Sequence, residues 1–294
     1  MPPSWRDPSA AWWAKAARAG KHVDDVRYLV GEFERTKPYQ VHREPTEHPD
    51  EVAFRFHLNS PVPTGLLTTV GDALHNMRSC LDSVAFELAR RHLDDRMSEE
   101  QEEASQFPIS PNATKFEAFF NHRIRRDMYG DVERAALRCV QPFAFREEAL
   151  AHGIDPQTSP EYELLFDELH RLRTLSNLDK HRRLPLLAWY VDFLYWDDPS
   201  YSWRGAQPRM AELKDQSVIG YLTGSGDGPA TAEATFDLRL SLTDDPAGSG
   251  SPGFIVRSDL VGVLERWHYY LSNWVLPRVF IVADGNPPPI IIAG

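Results

Sequence analysis

From Leu67 to Leu88 the apolar residues Leu67, Val70, Leu74, Met77, Leu81, Val84 and Leu88 step by three and four without a miss. Only an α-helix brings residues so spaced onto one face. This stretch therefore predicts a long helix, opened by Thr64 behind Pro63 and running to about residue 92, with one face that must be covered. A second seam, Trp12, Ala16, Ala19, Val23, Val26, Val30 and Phe33, follows Ser9 as N-cap and stops at Thr36-Lys37-Pro38. Two unbroken seams require facing helices, so an antiparallel helical bundle is expected.

Weaker signals complete the helical part. Helical pieces are predicted near residues 112–122 and 131–140, the second stopped by Gln141-Pro142-Phe143, with a charged linker over 94–103 before them. Ser159-Pro160-Glu161 combines an N-cap, a proline at the first helical position and an acid in the first turn, which predicts a further long helix ending before Pro185. Alternation over residues 52–58 reads as a strand. After His181 the chain turns aromatic and branched. Residues 184–196, 217–222 and 231–242 read as an antiparallel sheet, with alternating Ala232, Ala234, Phe236, Leu238, Leu240 and Leu242 as the clearest case. A last helix over about 258–281 carries the seam Leu260, Leu264, Trp267, Leu271 and Trp274. The expected class is α+β: an antiparallel helical bundle with a small antiparallel β-sheet and a C-terminal helix. Residues 1–183 would form the bundle, and 184–294 a sheet insertion plus the helix completing the same domain.

Charge and cysteine content narrow the function. Lys and Arg number 32 against 43 Asp and Glu, a net charge of −11, which argues against a broad basic surface coating duplex nucleic acid and leaves room for a small basic site. Cys80 and Cys139 stand far apart with no Cys-x-x-Cys spacing, so a metal knuckle or redox motif is not expected. No apolar run approaches the roughly 18 to 20 residues that span a bilayer, and Met-Pro-Pro-Ser-Trp-Arg-Asp-Pro does not read as a signal peptide. A soluble cytoplasmic protein with no membrane partner is the expectation.

Chemistry is sought where helices hold polar groups beside their buried faces. His75, Arg78 and Asp82, spaced three and four, form a stripe along the 64–92 seam. His170, Thr174, Asn177 and His181, flanked by Arg173 and Lys180, form another. Facing each other, the two stripes would make one pocket. One reading is structural: Asp82 pairs with Arg78 or Lys180 and Asn177 satisfies a loop carbonyl. The other is catalytic, because imidazole moves protons near neutral pH while Arg and Lys stabilise phosphorane charge, the equipment for cleaving RNA without a metal. Asp72, His75 and His181 as metal ligands lack a fixing motif such as His-x-x-x-His.

The block Gly71-Asp72-Ala73-Leu74-His75-Asn76-Met77-Arg78-Ser79-Cys80-Leu81-Asp82 resembles the Gly-Asp-x-x-His-Asn-Leu-Arg-Ser-x-Leu-Asp-His block of a large set of uncharacterised bacterial proteins. Phe107-Pro108-Ile109, Val140-Gln141-Pro142-Phe143 and Leu178-Asp179-Lys180-His181-Arg182 occur in the same order there, so the similarity covers roughly residues 15–190. That layout in turn resembles the HEPN superfamily, whose bundles carry Arg followed four to six residues later by His. The resemblance implies a protein binding or cleaving RNA or a nucleotide, in stress or defence, without a cofactor or metal, as a homodimer whose Arg and His meet in a shared cleft. Arg78 matches the Arg, but Ser83 stands where the His would fall, and a hydroxyl does not replace imidazole as acid or base. His75 or His181 would then exchange the proton, Arg78 would stabilise phosphoryl charge and Asp82 would orient one of them. Asn177, Lys180 and Arg182 would contact the substrate. The rival expectation is a non-catalytic binding or scaffold module in which the same residues hold the bundle together.

The remaining notable residues have plainer readings. Trp12, Trp13, Trp267 and Trp274 lie at core spacing. Tyr195, Trp196, Tyr201 and Trp203 crowd a turn around Asp197-Asp198-Pro199, an aromatic loop suited to capping a pocket or meeting a partner. Residues 224–228 lack the lysine and following helix of a phosphate loop and read as a hairpin turn.

Overall fold

A computed structural model describes residues 7–155, 168–177, 186–196, 198–206, 212–224, 233–243 and 259–288. The chain is α+β and divides into two compact units. One comprises Met1–His22, Gly71–Arg183 and Glu265–Gly294, the other Val23–Val70 and Leu184–Leu264.

The first unit is helical. Both seams form as expected, in α1 (Ala11–Arg35) and α2 (Thr64–His92). On α2 every seam residue from Val70 to Leu88 is buried, Leu67 alone being half-buried. Trp12 packs on Phe280 with ring centroids 4.8 Å apart. Gly20 of α1 lies against the His268 ring, where a Cβ would sit 2.9 Å from an imidazole carbon. The ring is anchored there by donating to the Ala16 carbonyl at 2.9 Å, so only glycine fits.

Short helices follow α2: α3 (Glu99–Ala104), α4 (Ala113–Phe120), α5 (Asp131–Arg138) and α6 (Pro142–Ala151). Two of these correct the expectation. The charged stretch 94–103 is not simply a linker, because Ser98 and Gln101 form a reciprocal capping box that starts α3. Pro142 lies just beyond the end of α5, as expected, and also occupies the first turn of α6, a helix not expected there. A proline there forfeits an N–H that has no intrahelical acceptor anyway, so the same residue ends one helix and opens the next. Residues 168–177 form α7; the expected start at Ser159 lies outside the described residues.

The final helix runs from α8 (Leu260–Tyr270) through a π turn (Leu271–Val275) into α9 (Leu276–Ala283). The turn is wide because Pro277 has no N–H for the carbonyl one turn back and its ring needs room. One residue of register is lost across it. Val275 is therefore buried, while Trp274, expected in the seam, is half-buried.

The second unit holds the strands, and here the single small sheet expected over 184–243 is corrected. β1 (Tyr39–Pro45) and β2 (Glu51–Leu58) form a hairpin that pairs with later strands. With β4 (Tyr201–Gly205) and β5 (Val218–Gly224) they make a four-stranded antiparallel sheet ordered β1-β2-β5-β4. β3 (Leu186–Trp196) and β6 (Ala234–Thr243) form a separate two-stranded sheet. Val52, Phe54 and Leu222 of the first sheet make a core with Trp196 and Phe236 of the second. The expected aromatic loop is mostly core as well. Trp196, Tyr201 and Trp203 pack into that cluster, the Trp196 indole donates to the Tyr201 carbonyl at 3.2 Å, and only Tyr195 is exposed. β5 and β6 are not paired neighbours; residues 225–228 of the expected hairpin turn lie outside the described residues. Among the described residues no helix is long and apolar enough to cross a membrane.

Candidate functional site

The polar stripe of α2 turns out to serve a piece of irregular chain. Between α3 and α4 the backbone from Phe107 to Ser110 is buried without belonging to a helix or strand, so its N–H and C=O groups must find side-chain partners. The Phe107 carbonyl accepts from Arg78 Nη2 at 2.8 Å, and the Phe107 N–H donates to Asp82 Oδ1 at 3.0 Å. Arg78 and Asp82, one helical turn apart, are themselves paired at 2.9 Å.

Gln141 continues the clamp. Its Nε2 donates to the Pro108 carbonyl at 2.7 Å and to the Leu137 carbonyl at 2.9 Å, and its Oε1 accepts from the Ser110 N–H at 3.0 Å. Arg173 of α7 closes the set, donating from Nη1 to the Ile109 carbonyl at 2.8 Å. Three of the four short sequence blocks are thus parts of one device: the α2 block and Gln141 grip Phe107-Pro108-Ile109.

The electrostatics follow from burial. Arg78 is only 8% exposed, and burial lowers its pKa; the charge and hydrogen bond of Asp82 oppose that fall, while Arg173 adds to it. The Nη1 of Arg78 is buried without a hydrogen-bond partner. Cys80, on the same helix, has its thiol pushed up to about 12, first by burial, so it is not an activated nucleophile.

The expected site residues are distributed as follows. Arg78 is buried, Asp82 is half-buried, and His75 is exposed. Asn177, the last described residue of α7, is exposed. His181, Lys180 and Arg182 lie outside the described residues. Ser83, at the position where the resemblance calls for histidine, accepts from Lys15 Nζ at 2.7 Å and donates to the Ser79 carbonyl at 2.9 Å. Residue-level reading passed over Gln141 as a helix stop and Arg173 as a flank. The available signal was Gln141 itself, a polar residue set between the apolar Val140 and Phe143.

Among the described residues no group of three or more His, Cys, Asp or Glu could hold a metal ion. No family model matches the sequence, and no curated protein or solved structure is similar to it.

Proposed function

We propose that this chain is a non-catalytic binding or scaffold module, in which Arg78, Asp82, Gln141 and Arg173 maintain the bundle instead of processing a substrate. One observation carries the reading: the buried Arg78 guanidinium spends Nη2 on the Phe107 carbonyl and on Asp82. Stabilising a transition state requires donors aimed where charge develops on a substrate, whereas this guanidinium is aimed at its own chain. His75, three residues away, is exposed and so does not share its environment.

The test is incubation of purified protein with labelled RNA in EDTA. No cleavage is expected, and Arg78→Ala is expected to lose stability. Metal-independent cleavage that disappears in Arg78→Ala and His75→Ala, both still folded, would replace this reading with RNA cleavage by His75, Arg78 and His181. The homodimer implied by the resemblance and the cytoplasmic residence expected from the cysteine content and the lack of a long apolar run stand as proposals beside it. Light scattering that finds a monomer at micromolar concentration would remove the first, and cell fractionation tests the second.

A further inference from the structure

The chain between α2 and the clamped Phe107 passes through α3, a six-residue helix with acids at Glu99, Glu100, Glu102 and Glu103 and no buried side chain. A helix this short has little stability of its own in water, and with only Gln101 and Ala104 half-buried it gains little from apolar packing. Its contacts are electrostatic: Glu100 pairs with Arg123 at 2.7 Å, and the Ala104 carbonyl accepts from Arg125 Nε at 3.0 Å.

Both arginines belong to the tight turn after α4. There the His122 carbonyl accepts the N–H groups of Arg125 and Arg126, each at 3.0 Å. Arg134 fixes the turn by donating from Nη2 to the Arg126 carbonyl at 2.7 Å and from Nε to the Tyr129 carbonyl at 3.0 Å. The turn carries His122, Arg123, Arg125 and Arg126 between the acids Glu117 and Asp127, in a chain of net charge −11. Arg125 is pre-positioned, with its guanidinium over the Phe119 ring at 4.3 Å. Arg126 is exposed, and its side chain has no partner among the described residues.

Guanidinium groups gathered on a tight turn are donors for phosphate oxygens, which accept from arginine in pairs. We propose that the 122–126 turn binds a ligand carrying linked phosphates, and that α3 is an internal acidic competitor resting on it in the unliganded chain. The Arg123–Glu100 pair is 80% and 56% exposed at its two ends, so solvent screens it and it yields easily to a denser anion. The inference goes beyond the binding-module reading and does not depend on the outcome of the RNA cleavage assay.

Inorganic tripolyphosphate is the probe, titrated calorimetrically at low salt. Replacing the α3 acids together (Glu99→Gln, Glu100→Gln, Glu102→Gln, Glu103→Gln) should tighten binding roughly two- to fivefold by removing the competitor. A control with the same change in net charge (Asp24→Asn, Glu32→Gln, Glu34→Gln, Glu47→Gln) should tighten binding less than the α3 variant does, because none of these acids pairs with Arg123, Arg125 or Arg126. Arg125→Ala and Arg126→Ala should each weaken binding at least about threefold, by loss of a phosphate contact. Arg126→Ala disturbs no described side-chain contact, so it remains a test even if the four-acid variant fails to fold. Equal tightening in the control, unchanged binding in both arginine variants, or no binding by wild type and the α3 variant at millimolar probe would each overturn the proposal. So would binding of an RNA oligonucleotide without binding of tripolyphosphate.

Discussion

Arg78 and Asp82 hold the two backbone groups of one residue between them: the guanidinium takes the carbonyl of Phe107 and the carboxylate takes its N–H, while the two side chains pair at 2.9 Å. Each end of the pair orients the other. The irregular segment after α3 is thereby fixed to α2.

Breaking this pair should be costly because each partner leaves a buried group unsatisfied. Arg78→Ala exposes the Phe107 carbonyl to an apolar interior and leaves Asp82 without its counter-charge, a loss expected to be about 3 kcal/mol or more. Asp82 keeps 26% side-chain exposure, so Asp82→Ala should cost less, about 2 kcal/mol. In a denaturant-based double-mutant cycle the two losses should be strongly non-additive. Additive losses below about 1 kcal/mol each would show that the clamp does not stabilise the fold.

Gln141 is fully buried and serves three backbone groups, those of Pro108, Leu137 and Ser110. Gln141→Ala strands all three and should cost about 2–4 kcal/mol. His75→Ala, on an exposed position of α2, should stay within about 0.5 kcal/mol of wild type. Similar midpoints for the two variants in urea would contradict the clamp.

The Cys80 thiol, pushed up to about 12 by burial, links stability to alkaline pH. Its folded pKa lies above the unfolded value, so the folded state retains a proton that the unfolded chain releases. The contribution is complete below the unfolded pKa, near 9, and is lost as pH rises toward 12. Wild type should therefore lose more stability than Cys80→Ala between about pH 8 and about pH 11, in chemical denaturation at each pH. In the native protein near pH 8 the thiol should resist Ellman's reagent and react once guanidinium unfolds the chain. Rapid reaction without denaturant would refute the burial argument.

At Gly20 two effects of opposite sign compete. Alanine would gain up to about 1 kcal/mol of helix propensity, but its Cβ would press on the His268 ring from 2.9 Å, and that ring is held by the Ala16 carbonyl. Overpacking against an anchored group costs about 1–3 kcal/mol, so Gly20→Ala should destabilise on balance. Adding His268→Ala should make the Gly20→Ala change neutral or favourable. A stabilised Gly20→Ala single variant would mean that the ring moves aside freely.

Much of the helical framework was legible before any coordinates, because a three-four repeat has one geometric solution. The unbroken seams of α1 and α2 set those helices and their buried faces, and alternation marked β2 and β6 as strands. The motifs flagged their own importance without revealing their use. Nothing in the spacing of His75, Arg78 and Asp82 says that Arg78 turns inward to a carbonyl 29 residues away while His75 stays in water. Nor does the alternation of β2 name β1 and β5 as its neighbours, or show that β3 and β6 form a sheet of their own. Periodicity reports which face of an element is apolar, since that is a property of consecutive residues. Partners are chosen by the free energy of satisfying particular buried donors and acceptors, and those belong to segments that meet only when the chain has folded.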